Sequence, residues 1–285
     1  MEKRDSTPYL FNLPALFLLG LFFVGLWWLF LISFKIGSPS GEIQSGFTLK
    51  QYVRFFGDRF YLKYLWPSFH VAALSTLVAL LLGYPTAYIL VRSKPGMRRF
   101  LTVALIIHFF SSYVMRMYAV MLVLGNNGII NRFLSWSSLT ASPIKLMYNE
   151  FGVGVGLTLG AMPFMVFTVA SVLENIDTTL ESAAQSLGAT EFRTFLEVTL
   201  PLSLPGIAAG IVIVFLYNMS AFVTPALLGG GHFDMISNFI YEQALELMNF
   251  PFAGAGAFSM LILTLILVFF LNQMFERMNK GISTK

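Results

Sequence analysis

The sequence predicts an all-α membrane protein, a bundle of six transmembrane helices, and three observations carry that prediction. First, 56% of the 285 residues are hydrophobic, 16% are aromatic and only 11% are charged. A soluble protein carries about 25% charged residues, so the shortfall excludes a water-exposed globular domain. Second, six apolar runs are each long enough to cross a hydrocarbon core of about 30 Å, which takes about 20 helical residues. Third, the polar residues gather between these runs, and the mean hydropathy is +0.74. Residues 1–285 therefore read as one transmembrane domain, with no soluble domain and no long-period repeat.

The first run, residues 10–34, exceeds the signal-peptide apolar core of about 7–15 residues. It lacks a small-residue cleavage site just after it and reads as a retained span. Residues 36–67 follow as an external segment. Within it, FTLKQYVRFFGDRFYLKYL (47–65) sets aromatic and basic residues at helical spacing. That pattern fits a helix lying in the outer interface and equally an ordinary loop anchored by tyrosines. The second, third and fourth runs are residues 68–91, 100–124 and 151–173; the fifth and sixth are 206–228 and 252–274. In the fourth, Gly152, Gly156 and Gly160 repeat every four residues, a spacing that lets helices approach closely, and Pro163 is placed to kink it.

An even number of spans puts both termini on one side. With the termini in the cytoplasm, ten Lys and Arg fall inside and seven outside. Arg92, Lys94, Arg98 and Arg99 crowd one short inside turn, while the last outside loop has neither residue type. Short loops weigh most in the positive-inside rule, so cytoplasmic termini are expected.

Several chemistries are excluded or unsupported. There are no cysteines, hence no disulfides or thiolate metal sites. No G-x-x-x-x-G-K phosphate loop is present. His70, His108 and His232 lack metal-ligand spacing, and no chain of carboxylates crosses the spans as in a proton pump. No nucleophile–base pair is readable, so an enzyme is disfavoured. The net charge of +4 belongs to topology, because no basic cluster interleaved with aromatics exists to bind nucleic acid. The 14 Met residues read as adaptable packing.

The most informative stretch is ESAAQSLGATEFRTFLEVTLPLSLPGI (181–207), within the inside loop of residues 174–205. It reads as two short amphipathic helices broken at Gly188, where a left-handed turn can end a helix. Thr178 with Glu181 forms a candidate capping box. Ala183 and Ala184 give a small face that another surface can approach. Thr190 can cap the second helix, whose Phe192, Phe195, Leu196 and Val198 return to the apolar side. Pro201 and Pro205 are expected to stop that helix, with Gly206 opening the fifth span. The residues alone leave two readings, a decorated connector or a docking surface without catalytic groups.

The third span carries the costly residue. A lone Arg near a helix centre costs about 2.5–3.5 kcal/mol on insertion scales, and Arg116 lies about two-thirds of the way across. His108, Ser112 and Arg116 are spaced by four, which places them on one helical stripe. That stripe faces the bundle interior or a wet path; otherwise Arg116 snorkels outward and His108 is a core imidazole. In the fifth span Tyr217, Ser220 and Thr224 form a second stripe with Asn218 beside it. Pro225 disfavours helix at Thr224, and Gly229–Gly231 end regular structure. Irregular backbone at membrane depth is tolerated only against protein or water. This is the second candidate lining of a path, or else a set of interhelical hydrogen bonds. Asp234, Glu242 and Glu246 make the last outside segment acidic, for docking a binding protein or simply for solvation.

The loop motif resembles the signature of binding-protein-dependent ABC-importer permeases: E-A-A, three residues, G, nine to twelve variable residues, then L-P. Ala183, Ala184, Gly188, Leu200 and Pro201 fall into place, whereas Ser182 stands at the Glu position and Glu181 lies one residue earlier. The resemblance implies the type I ABC importer permease fold in a bacterial inner membrane. It implies that this loop is a coupling helix seated in a separate ATPase, with Glu181, Ser182, Ala183, Ala184, Gly188, Ala189 and Pro201 at the contact. ATP and Mg would belong to that ATPase dimer, leaving no cofactor in this chain. A second permease subunit and an external solute-binding protein are the other implied partners. Residues 47–92, 112–120, 222–231 and 237–259 are further similar to the first permease of spermidine/putrescine-type importers, which implies a polyamine cargo. Against this, the spans hold no Asp or Glu to pair a polycation but do hold Arg116, so an anionic or zwitterionic solute stays open. A stand-alone secondary transporter or channel is the rival class. It needs an inverted repeat and coupling-ion ligands, and neither is found.

Overall fold

The computed structural model describes residues 7–37, 43–140 and 142–283. Lys3, Arg4 and Lys285, counted among the basic residues expected inside, lie outside the described residues. The elements are α1 (Thr7–Ser33), β1 (Lys35–Gly37), β2 (Ile43–Phe47), α2 (Lys50–Gly57), α3 (Arg59–Arg92), α4 (Pro95–Phe110) and α5 (Tyr113–Leu124). Then come α6 (Ile129–Trp136), α7 (Glu150–Leu173), α8 (Thr178–Ser186), α9 (Glu191–Thr194), α10 (Leu200–Met219), α11 (Ile236–Tyr241) and α12 (Phe250–Ser283). Three π turns, Phe195–Thr199, Pro225–Gly229 and Glu242–Glu246, are interspersed. Among the described residues six stretches are long and apolar enough to cross a membrane, so the expected number of spans holds.

The chain forms two compact units. The first comprises the N-terminal residues up to Lys63 together with Phe239–Leu261. Its centre is an aromatic cluster in which Phe55, Tyr61, Phe239 and Phe252 are buried with ring centroids 4.8–6.4 Å apart. Arg54 lies over Phe252 at 4.7 Å, a cation–π contact that lets a basic residue border an apolar cluster. Tyr52 meets the Ser33 hydroxyl at 2.7 Å and ties α2 to the end of α1. Along α1, Phe17, Val24 and Trp28 are 66–70% exposed, as befits a helix apolar on all sides. The expected interfacial helix over residues 47–65 is only partly right. Lys50–Gly57 is helical, but Asp58 is extended and α3 begins at Arg59, two turns before the predicted second span. The β1–β2 hairpin was not legible, being three and five residues long.

The second unit, Tyr64–Asn238 with Ile262–Lys285, is built on α7 packed against α10. Ala161, Met165, Val166 and Val169 of α7 are buried with Ala79 and Ala87 of α3 and Val214 of α10, while Leu157 of α7 is buried in a second cluster with Val71 of α3 and Met117 of α5. Small residues bring neighbours close here: Gly206 of α10 against α7, and the glycines of the predicted α7 repeat against α5 and the Pro225–Gly229 turn. A Cβ on Gly206 would stand 2.9 Å from Val172 Cβ, and one on Gly160 would stand 2.9 Å from Tyr113 Cε2. Val172 is branched at that carbon and cannot turn away. Gly206→Ala is therefore expected to destabilise by about 1–3 kcal/mol, whereas Gly20→Ala, with nothing within 4 Å, should gain up to about 1 kcal/mol of helix propensity. Thermal melting of the detergent-purified protein reads both, and equal melting temperatures would refute the close-packing account.

Four local expectations are corrected. The third span is not one helix over residues 100–124, because Ser111 and Ser112 are extended (ψ 145° and 129°) between α4 and α5. The Ser111 hydroxyl donates to the His108 carbonyl at 2.8 Å, the kind of local bond by which serine competes with a helix ladder. Pro201 and Pro205 do not stop the second loop helix, since Glu191–Met219 is one helical run. The π turn at Phe195–Thr199 widens the ladder just ahead of Pro201, which accommodates a ring lacking an N–H. Thr224 is helical (φ −62°, ψ −54°) despite Pro225, and the break after α10 falls earlier, at Ser220–Phe222. Lastly, Asp177 and not Thr178 caps α8.

Candidate functional site

The loop after α7 is built by its caps. The Asp177 carboxylate accepts from the Thr179 N–H at 2.9 Å; this bond, with the Thr179 side chain, holds the carboxyl below its ordinary range. At the far end Gly188 has φ +90°, a conformation that suits glycine, and Ala189 N–H donates to Ala184 O at 3.1 Å. Thr190 then caps α9, accepting from Arg193 N–H at 3.3 Å, as expected. The outcome is an elbow of two short helices with fixed ends.

Its two faces differ. Outward, Leu187 is 90% exposed, Phe192 70% and Leu180 48%, with Ser182, Ala183 and Gly188 also exposed. Inward, Glu181 accepts from Arg92 Nη2 at 2.8 Å and from the Thr199 hydroxyl at 2.9 Å. Both charged side chains are below 20% exposure. Phe195 packs edge-on to Tyr84 and Tyr88 of α3. Ala184 and Pro201 are half-buried. The Ser182 hydroxyl, at the motif's Glu position, donates back to Thr178 O. Glu181 is thus a clasp between the last turn of α3 and the elbow, leaving an apolar patch with small residues on the outside.

The second candidate region lies in the same unit. The break at Ser111–Ser112 takes His108 and Arg116 off a common helix, yet it folds them together: Arg116 Nη1 lies 2.9 Å from His108 Nε2. Ser112 is exposed at the start of α5. Arg116 Cζ lies 5.3 Å from the centroid of the Tyr113 ring. The Tyr113 hydroxyl is hydrogen-bonded to the buried Thr224 hydroxyl. Tyr217 stands 6.3 Å from Tyr113 and 5.0 Å from Phe164, which stands 5.5 Å from Phe109. Of the predicted path residues, His108, Arg116, Tyr217 and Thr224 therefore share one cluster. Ser220 only donates to Tyr217 O. Asn218 is fully buried on the other side, donating to the Thr76 hydroxyl of α3 at 3.3 Å. Sequence reasoning missed Arg92 and Thr199 at the clasp, and Tyr113 and Phe164 at the cluster. An aromatic in an apolar span looks like packing; the signal that could have found Tyr113 is its place three residues before Arg116, one turn away on a helix.

Residues 76–283 match the family model described as the inner membrane component of binding-protein-dependent transport systems. The spermidine/putrescine transport system permease protein of Salmonella typhimurium (strain SL1344) is 32% identical over 88% of this chain and 87% of its own. Its counterpart from Escherichia coli (strain K12) is 34% identical over 81% and 83%. The fold superposes with a TM-score of 0.81 on a chain of a bacterial ABC transporter involved in import of the acidic polysaccharide alginate, at 22% identity and 96% coverage of both chains. With six apolar helices, the signature elbow and these matches in hand, the chain belongs to the inner-membrane components of binding-protein-dependent transport systems, the permease subunits of ABC importers.

Proposed function

We propose that this chain forms half of the translocation path of a polyamine importer. It pairs with a second permease, receives cargo from an external binding protein, and rests its α8–α9 elbow on a cytoplasmic ATPase dimer that binds the ATP and Mg. Both termini then lie in the cytoplasm. ATP-driven closure of the ATPases moves the elbow, and the clasp carries that movement to α3 and α10. The attached spans rock between inward-open and outward-open states. His108, Ser112, Arg116, Tyr217, Asn218, Ser220 and Thr224 belong to the spans that line or brace the path. This chain converts motion into access; the bond-breaking chemistry is the partner's.

The observation that carries the reading is the two-faced elbow: apolar and exposed outside, ion-paired to the bundle inside. An exposed apolar patch rimmed by polar residues marks a protein contact. The cargo assignment is supported by the name of the relatives that are 32–34% identical over most of the chain. Titration calorimetry of the genetically linked external receptor tests it. Putrescine or spermidine should bind, and binding of an anionic solute in their place would overturn the cargo. Flux through the reconstituted chain alone, without any ATPase, would instead favour a secondary transporter.

A further inference from the structure

Arg116 is an unusual resident of the cluster, because little holds it. No carboxylate pairs with it among the described residues, and its buried Nε has no partner. Among the described residues its guanidinium has one hydrogen bond, and that bond is contested: His108 Nε2 lies 2.9 Å from Arg116 Nη1 and also 2.9 Å from Leu159 O. A neutral imidazole nitrogen accepts or donates, never both. If Nε2 accepts from Arg116 it faces a carbonyl lone pair; if it donates to Leu159, Arg116 loses its bond. What remains is the face of Tyr113. That ring, by contrast, is held firmly, by the Thr224 hydroxyl at one end and by the close approach of Gly160 at its edge. Tyr217 and Phe164 continue the aromatic wall.

We propose that the Tyr113–Tyr217–Phe164 wall is an ammonium-binding subsite, and that Arg116 is a tethered cation occupying it until a cationic cargo displaces the guanidinium. This rests on the polyamine reading above. It also resolves the difficulty that the spans offer no carboxylate to a polycation, because ring faces bind cations without a fixed negative charge. Ser112 beside the cluster is exposed, and the displaced guanidinium would pass this hydroxyl as it leaves the ring. A resident cation also raises the energy of any unaccompanied ammonium on this path, which limits leak.

Equilibrium binding of radiolabelled putrescine to the receptor-free transporter, purified with its second permease and ATPase, tests the subsite. Arg116→Gln should tighten binding about fivefold, since nothing need be displaced, and Tyr113→Leu should weaken it about fivefold while Tyr113→Phe stays near wild type. An Arg needed only for structure would give no gain in affinity. Unchanged or weaker binding by Arg116→Gln overturns the proposal. Should that variant not assemble with the ATPase, the Tyr113 pair decides, and equal affinities for Leu and Phe overturn it. These results are separate from the cargo reading, which fails only if the external receptor binds no polyamine.

Discussion

Leu187→Asp should abolish ATP-driven uptake and strip the ATPase from the purified complex, while the membrane-spanning part stays folded. Leu187 is 90% exposed and contributes nothing to the chain's own core, so the substitution is neutral in the isolated subunit. In the assembly it would bury a carboxylate in an apolar contact without a partner, at a cost of several kcal/mol. A loss of about 2–4 kcal/mol at an interface hot spot lowers affinity by about 30- to 1,000-fold. Ala183→Asp, on the same exposed face, should act alike. Gly188→Asp sets a carboxylate on the same exposed face, and its φ of +90°, though there is space for a side chain, strains an L-residue by about a further 1–2 kcal/mol. Its defect should be at least as large. Stoichiometric co-purification of the ATPase with Leu187→Asp would remove the docking role of this face.

Breaking the clasp should uncouple the motor from the path. Glu181→Ala leaves Arg92 without its carboxylate, and Arg92 Nε is already buried without a partner. It also orphans the hydroxyl of Thr199, a buried residue. Unsatisfied groups of this kind cost about 1–3 kcal/mol, enough to loosen α3 from the elbow without unfolding α7 and α10. Solute imported per ATP hydrolysed should fall at least about tenfold, with the ATPase still bound. Combining Arg92→Glu with Glu181→Arg should recover a good part, because the Thr199 hydroxyl can turn from donor to acceptor. If Glu181→Ala keeps normal coupling in proteoliposomes, the clasp transmits nothing.

What sequence reasoning missed has physical causes in particular residues. Hydropathy sees residues 100–124 as one span, since Ser111 and Ser112 barely lower the average; it has no term for the two hydroxyl-bearing residues that open the ladder. Pro225 argues for an extended Thr224 on local sterics, but Thr224 is held helical in a buried niche with Tyr113 and Met117. Asp177 and Thr178 are both good caps, and which one acts depends on where the helix starts. The elbow was readable because small residues, Gly188 and Thr190 each have one strong local use. Glu181 was readable as important but not as inward-facing, because Arg92 lies 89 positions away.

Composition and pattern alone determined that this chain has six helices able to cross a membrane and a polar two-helix elbow between the fourth and fifth of them. Those features depend on transfer of side chains from water and on local turn chemistry, which act over a few residues. Tertiary structure alone decided that Glu181 grips Arg92, that Arg116 rests on Tyr113, and that a broken helix brings His108 to Arg116. The first pairs segments 89 positions apart, and the other two depend on a helix break and on which of several local neighbours the packed interior leaves to Arg116, geometry that the apolar pattern does not contain.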